Sequence, residues 1–173
     1  MATDYKVKLR TYSQISQITE NLRDRLEIGN FYNFNIVNQL ERMRGKRFDS
    51  AGELAIETYG DANELAFVTY GPLVLHSDKD IWEEAKMGEP TARFILAHEI
   101  GHVVMHAHYR QAFSIDEKKG IKFVQPEERA ETQAHWFAAC FLVPRRLIGK
   151  GMSDFDICNE FGFPREFLYL VQR

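Results

Sequence analysis

Several features that mark other classes of protein are scarce in this sequence of 173 residues. It has only two cysteines, Cys140 and Cys158, which are too few for a disulfide framework and are not spaced as a C-x-x-C zinc pair. No apolar run approaches the roughly 18 residues that a membrane-spanning helix needs. The start, MATDYKVKLR, lacks an apolar stretch of signal-peptide length. We therefore expect a reduced, cytoplasmic protein without a membrane partner.

An excess of charge of one sign is also missing. The formal net charge is −3 and the sequence pI is about 6.1, so the composition does not indicate nucleic-acid binding. The length suits one compact domain with a sizeable core, and we predict a single domain over residues 1–173. The composition leaves the oligomeric state open.

The most informative stretch is residues 93–106, which read RFILAHEIGHVVMH. Its apolar character predicts a helix, in which His98 and His102 are four residues apart and therefore lie on the same face. Two imidazoles in this arrangement can bind one zinc ion at about 2.0–2.1 Å from each nitrogen. Glu99 lies beside them and can act as the base for a water molecule, so the H-E-x-x-H spacing predicts a catalytic metal site.

The surroundings of the motif favour this interpretation over a metal-free helix with two hydrogen-bonded histidines. The other residues of the segment are mostly apolar, and burying two imidazoles and a carboxylate among them would be costly without a metal or other partners. Gly101 costs about 1 kcal/mol relative to alanine inside a helix. A glycine at this position therefore indicates the close approach of another element or of a substrate.

A catalytic zinc site needs a third protein ligand and one open position. The best source is residues 126–144, PEERAETQAHWFAACFLVP, where an apolar stripe at helical spacing ends at Pro144. Glu131 lies next to that stripe and is the first candidate for the third ligand. Glu128 is the alternative, although acidic residues near a helix start commonly offset the helix dipole.

The remaining chain predicts an α+β fold, with helices packed around a small antiparallel sheet and the metal between the two motif helices. Residues 11–28 form a predicted helix with a capping box at Thr11 and Gln14, and a second helix ends near Gly45. Alternating apolar residues and the Gly71-Pro72 turn predict the sheet within residues 54–76. Residues 77–91 contain the polar run Asp78-Lys79-Asp80 and the loop signal Gly88-Glu89-Pro90, and the motif helix is predicted to begin near Thr91 or Ala92. Residues 153–173 predict two short helices around Gly162 that pack on the core and do not read DNA.

The pair RFILAHEIGHVVMH and ETQAHWFAACFLVP resembles the ImmA/IrrE-type zinc metallopeptidases, whose second motif runs roughly E-x-x-A-N-x-F-A-A-x-L-L-M-P. The resemblance implies a zincin-like fold. It also implies that His98, His102 and Glu131 bind Zn²⁺ and that Glu99 is the catalytic glutamate. This sequence departs from the pattern at His135, where the family usually has asparagine.

The resemblance further implies an endopeptidase that cleaves, or otherwise relieves, a helix-turn-helix repressor of mobile elements or stress genes. We expect that repressor to be a separate protein, because the chain itself carries only two ordinary amphipathic helices at its front. A non-hydrolytic antirepressor that binds a metal and its partner is the alternative. The possible donors to the oxyanion are Tyr109 and His135, with His106 and His108 nearby. For His106 a hydrogen bond within the helix is the favoured role.

Overall fold

The computed structural model describes residues 4–60, 64–107 and 124–171, and within them it is an α+β structure. The helices are α1 (Tyr12–Arg25), α2 (Ile36–Met43), α3 (Lys79–Met87), α4 (Pro90–His106), α5 (Ala130–Leu142) and α6 (Asp154–Phe161). The strands are β1 (Ala55–Tyr59), β2 (Ala66–Thr69) and β3 (Val74–Asp78). Short 3-10 turns at Asp49–Ala51, Pro126–Glu128, Arg145–Leu147 and Arg165–Leu170 join or extend these elements. The predicted fold class, helices around a small sheet, is confirmed.

Side chains cap the N-termini of α1 and α2, and the predicted capping box of α1 is confirmed. Thr11 and Gln14 form a capping box at the start of α1, in which the hydroxyl of Thr11 accepts from the Gln14 backbone and the amide of Gln14 accepts from the Thr11 backbone. The helix ends at Arg25, three residues before the predicted end. Asn35 caps α2, which buries its apolar face in the core.

The sheet is mixed, so the prediction of a purely antiparallel sheet is wrong in one pairing. Its strand order is β1-β3-β2, with β2 antiparallel to β3 and β1 parallel to β3. The turn at Gly71 and Pro72 reverses the chain between β2 and β3 as expected. The physical reason for the order is burial. Val74 and Leu75 are buried in β3, and this strand takes the centre of the sheet, where both of its edges are paired.

Residues 77–91 contain a helix, α3, that was not predicted from the sequence. Asp78 ends β3 and caps α3, its carboxylate accepting from the backbone of Asp80. The helix buries Ile81, Trp82 and Ala85 and ends at Gly88, whose positive φ of 92° suits glycine. Only one turn then separates α3 from α4, so α3 packs directly against the motif helix.

The last helices close the core over α4 and α5. Ser153 forms a capping box with Asp156 at the start of α6. Phe161 and Phe163 are fully buried, as expected of core anchors. Within the described residues, no helix has the length and apolar character that crossing a bilayer requires.

A buried arginine on α1 connects a loop and α5 to this core. Arg23 on α1 donates to the backbone carbonyls of Phe141 (2.7 Å), Ile28 (2.9 Å) and Phe31, and its side chain is fully buried. Burial lowers the pKa of Arg23 to about 10, so the group remains a cation at neutral pH. Phe141 lies on α5, and this contact therefore ties α1 to the helix that carries Glu131.

We expect Arg23→Met to lower the free energy of unfolding by about 3 kcal/mol or more. Three carbonyl oxygens would lose the guanidinium as a donor, although that of Ile28 keeps the backbone N–H of Phe31, and a buried polar group left unpaired costs about 1–3 kcal/mol. Urea denaturation followed by circular dichroism measures the change. Arg25→Met is the matched control, because Arg25 lies on the same helix but is exposed, and it should change stability by less than about 0.5 kcal/mol. Equal effects of the two substitutions would contradict the structural role of Arg23.

Candidate metal centre

The helix α4 presents the two motif histidines to the same point. It begins at Pro90, where a missing N–H has no cost, and Glu89 caps it by accepting from the backbone of Ala92. One turn separates His98 from His102, and their Nε2 atoms are 3.0 Å apart. The predicted placement of both imidazoles on one helix face is confirmed.

The helix α5 crosses α4 at close range and brings Glu131 to the histidines. Gly101 makes this approach possible, since a Cβ atom there would lie 3.1 Å from Cβ of Phe137 on α5. Phe137 is fully buried, so it has little room to move away. The expectation that Gly101 marks the close approach of another element is therefore confirmed.

The three side chains form a ligand set of the size that a small divalent ion needs. Oε2 of Glu131 is 3.2 Å from Nε2 of His98, and Oε1 is 3.3 Å from Nε2 of His102. Ligand atoms about 2.0–2.1 Å from a tetrahedral ion are about 3.3 Å from one another, which agrees with these separations. In addition, Oε1 of Glu131 is buried and has no hydrogen bond. A buried acceptor without a donor fits a metal ligand, so these residues suit a divalent cation.

The environment shifts the pKa values of the two carboxylates in opposite directions. Burial raises the pKa of Glu99, which is 7% exposed. Burial also acts to raise the pKa of Glu131, but His102 and His98 outweigh it and hold that pKa well below its ordinary value. Glu131 is thus held as an anion beside the imidazoles, whereas Glu99 takes up a proton more readily. This difference suits one carboxylate as a ligand and the other as a proton acceptor.

One turn after His102 on α4, the imidazole of His106 is hydrogen-bonded to that of His102. Nδ1 of His106 is 3.2 Å from Nδ1 of His102, and Nε2 of His106 is 3.1 Å from Oε1 of Gln133 on α5. Both His106 and Gln133 are fully buried. Burial lowers the pKa of His106 well below its ordinary value, so its ring is neutral at neutral pH. The favoured role for His106, a hydrogen bond within the helix, is therefore observed.

A cavity of about 340 Å³ opens beside two of the three candidate ligands, His98 and Glu131. His98, Glu99 and Glu131 line one side of it, together with His135. The lining also includes Ala66, the first residue of β2, which is an edge strand of the sheet as far as the chain is described. The site is therefore reached through a cleft bounded by a strand edge, and Glu99 lies in its wall.

The structure also bears on the alternative third ligand and on the possible oxyanion donors. Glu128 forms an ion pair with Lys6 (3.1 Å) and does not belong to the group that could hold a metal. Tyr109 and His108 lie outside the described residues. Nδ1 of His135 donates to the backbone carbonyl of Glu131 (2.7 Å), so in the neutral ring Nε2 is an acceptor. Its role as a donor stays a prediction and requires a protonated ring.

The Peptidase_M78 family model, described as IrrE N-terminal-like domain, matches residues 62–168. This match covers more than half of the chain and includes both motifs. The chain belongs to this family. Membership assigns it a metallopeptidase type of function, in agreement with the observed group of His98, His102 and Glu131. A search of curated proteins gives no match to the chain.

Several residues in and around the candidate metal centre were not predicted from the sequence. Gln133 lies on α5 and contacts His106, while Glu64 and Phe167 line the cavity. The spacing of His106, four residues after His102, was a signal for its contact with that ring. No comparable signal exists for Gln133, Glu64 or Phe167, because their partners are distant in the sequence.

Proposed function

We propose that this protein is a zinc-dependent endopeptidase of the cytoplasm that cleaves a separate helix-turn-helix repressor. The observation that carries the proposal is the convergence of two imidazoles and one carboxylate, whose ligand atoms all lie within 4.8 Å of one another, beside an open cleft that His98 and Glu131 line. Two nitrogen ligands and one oxygen ligand with an open position favour zinc among the common divalent ions.

In this mechanism His98, His102 and Glu131 bind the ion. Glu99 transfers the proton. Bound zinc would lower the pKa of a water molecule from about 15.7 toward about 7 and would polarise the scissile carbonyl. The carboxylate of Glu99 accepts the proton of the attacking water and then passes it to the leaving nitrogen. Its raised pKa supports this role, because a base whose pKa is closer to neutrality both takes up and releases a proton readily.

The cleft also supports a polypeptide substrate. Among the described residues β2 pairs with β3 on one side only, and Ala66 at its start lines the cavity together with the preceding Leu65. An extended peptide can add to such an edge through main-chain hydrogen bonds, which would bring its carbonyl group toward the histidines. Leu65 is 57% exposed and offers an apolar contact for a substrate side chain. The proposal that the substrate is a repressor rests on the resemblance of the two sequence motifs to those of the family.

The test is incubation of the purified protein with a helix-turn-helix repressor encoded next to its gene. We expect one or a few defined fragments by mass spectrometry when zinc is present, and intact repressor when a chelator is present. A serine-protease inhibitor should have no effect, which controls for contaminating proteases. Intact repressor in the presence of stoichiometrically bound zinc would count against hydrolysis of this partner.

A further inference from the structure

The side-chain amide of Gln133 is held in one orientation by four groups. Its Nε2 donates to the backbone carbonyls of Lys8 (2.8 Å) and Glu127 (2.6 Å). Its Oε1 faces Nη1 of Arg10 (3.3 Å) and Nε2 of His106 (3.1 Å). In the reversed orientation the oxygen would face two carbonyl oxygens and the amide nitrogen would face a guanidinium. Since the group is fully buried, water cannot compensate for such contacts, and the reversed orientation is excluded.

This orientation determines where the protons lie on two histidines. Because Oε1 of Gln133 can only accept, Nε2 of His106 carries the proton and Nδ1 of the neutral ring is an acceptor. The partner of that acceptor is Nδ1 of His102, which must therefore donate. A neutral His102 that donates from Nδ1 has a lone pair on Nε2, the atom that faces His98 and Glu131.

The same order of donors leaves a lone pair of His102 facing a buried oxygen of the centre. Oε1 of Glu131 is 3.3 Å from Nε2 of His102, yet it is buried without a hydrogen bond. With the proton on Nδ1, His102 has none to give to this oxygen. The opposite tautomer of His102 would require the proton of His106 to lie on Nδ1, and the bare Nε2 of His106 would then face the oxygen of Gln133.

The segment of residues 4–10 holds this arrangement in place. Besides accepting from Gln133 at Lys8, it accepts the backbone N–H of Ala130 at Tyr5 (3.0 Å) and that of Glu131 at Oδ1 of Asp4 (3.2 Å). The ring of Tyr5 packs edge-on against His106, with centroids 6.1 Å apart. The segment lies outside residues 62–168, the part that the family model matches.

We propose that Gln133 and His106 are positioning residues, which set the tautomer and ring orientation of His102 so that its Nε2 lone pair faces the metal position, and that residues 4–10 hold them there. The proposal rests on His102 being a metal ligand but not on hydrolysis. A partner of this kind on the second nitrogen of a metal-binding imidazole typically changes metal affinity about 10–100-fold.

The first test is nitrogen-15 NMR of the metal-free protein at alkaline pH, where the imidazoles are neutral. We expect the proton on Nδ1 of His102 and on Nε2 of His106. A proton on Nε2 of His102 in the wild-type protein would overturn the proposal. This measurement needs neither bound metal nor substrate.

The second test is the zinc dissociation constant, measured by competition with a chromophoric chelator. His106→Leu and Gln133→Met should raise it about 10–100-fold. His106→Asn should stay close to wild type, because its amide oxygen can replace Nδ1 as the acceptor for His102. Leu142→Ala on α5 controls for lost stability, since Leu142 is fully buried but lies more than two helical turns after Gln133, and the zinc affinity of this variant should be unchanged.

The outcomes are distinct. Wild-type zinc affinity in a folded His106→Leu variant, or equal losses in His106→Leu and His106→Asn, would overturn the positioning role. If His106→Leu does not fold, Gln133→Met and the wild-type tautomers decide the question. If these results hold but the repressor stays intact in the presence of zinc, the proposed proteolysis fails while the positioning role stands.

Discussion

Replacing Glu99 by glutamine should lower the rate of repressor cleavage about 10²–10⁴-fold, the usual contribution of a general acid–base group. Glutamine keeps the size of the side chain but cannot accept a proton from water. Because Glu99 is not among the three candidate ligands, the variant should bind zinc with nearly wild-type affinity. Fragment formation measured by mass spectrometry over time, beside a zinc titration of the same sample, gives both quantities.

The matched control for this prediction is Glu83→Gln. Glu83 lies on α3 and pairs with Lys86 (3.5 Å) at the surface, so its loss removes the same charge without touching the cleft. Its cleavage rate should equal that of the wild type. If the zinc-bound Glu99→Gln variant relieves repression as fully as the wild-type protein does, proteolysis is not the mechanism. The alternative, an antirepressor that acts by binding, would then account for the activity.

Replacing Glu131 by glutamine should have the largest effect on metal binding. The change removes the one anionic ligand from a set of three, and the remaining amide oxygen is a much weaker donor to zinc. We expect the zinc dissociation constant to rise more than about 100-fold, because loss of a partner that only orients a ligand already costs about 10–100-fold. Cleavage should fall with it. Metal analysis after gel filtration and competition with a chelator measure the loss.

Glu128→Gln separates the two candidates for the third ligand. Glu128 is three residues earlier in the chain, and its side chain forms an ion pair with Lys6 away from the centre. The substitution should leave zinc binding and cleavage intact. Should Glu128→Gln lose zinc while Glu131→Gln keeps it, the proposed ligand set would be wrong.

Local signals in the sequence were sufficient for the parts of the structure that depend on near neighbours. The capping boxes at Thr11 and Ser153 act within one turn, and the spacing of His98 and His102 defines a common face on any helix. Glycine at position 101 correctly indicated a close helix crossing. The helix α3 was missed because the polar residues at its start look like those of a loop, whereas its stability comes from burying Ile81 and Trp82 against the core.

The sequence by itself determined the kind of chemistry, since two histidines and a glutamate at fixed spacing on one helix favour a metal and a base. Only the tertiary structure decided which acid lies within reach of the histidines, because Glu131 approaches them through the crossing of α4 and α5. It also decided the parallel pairing of β1 and β3 and the orientation of Gln133. These features arise from contacts between residues far apart in the chain, and their energies depend on packing and burial that no local pattern records.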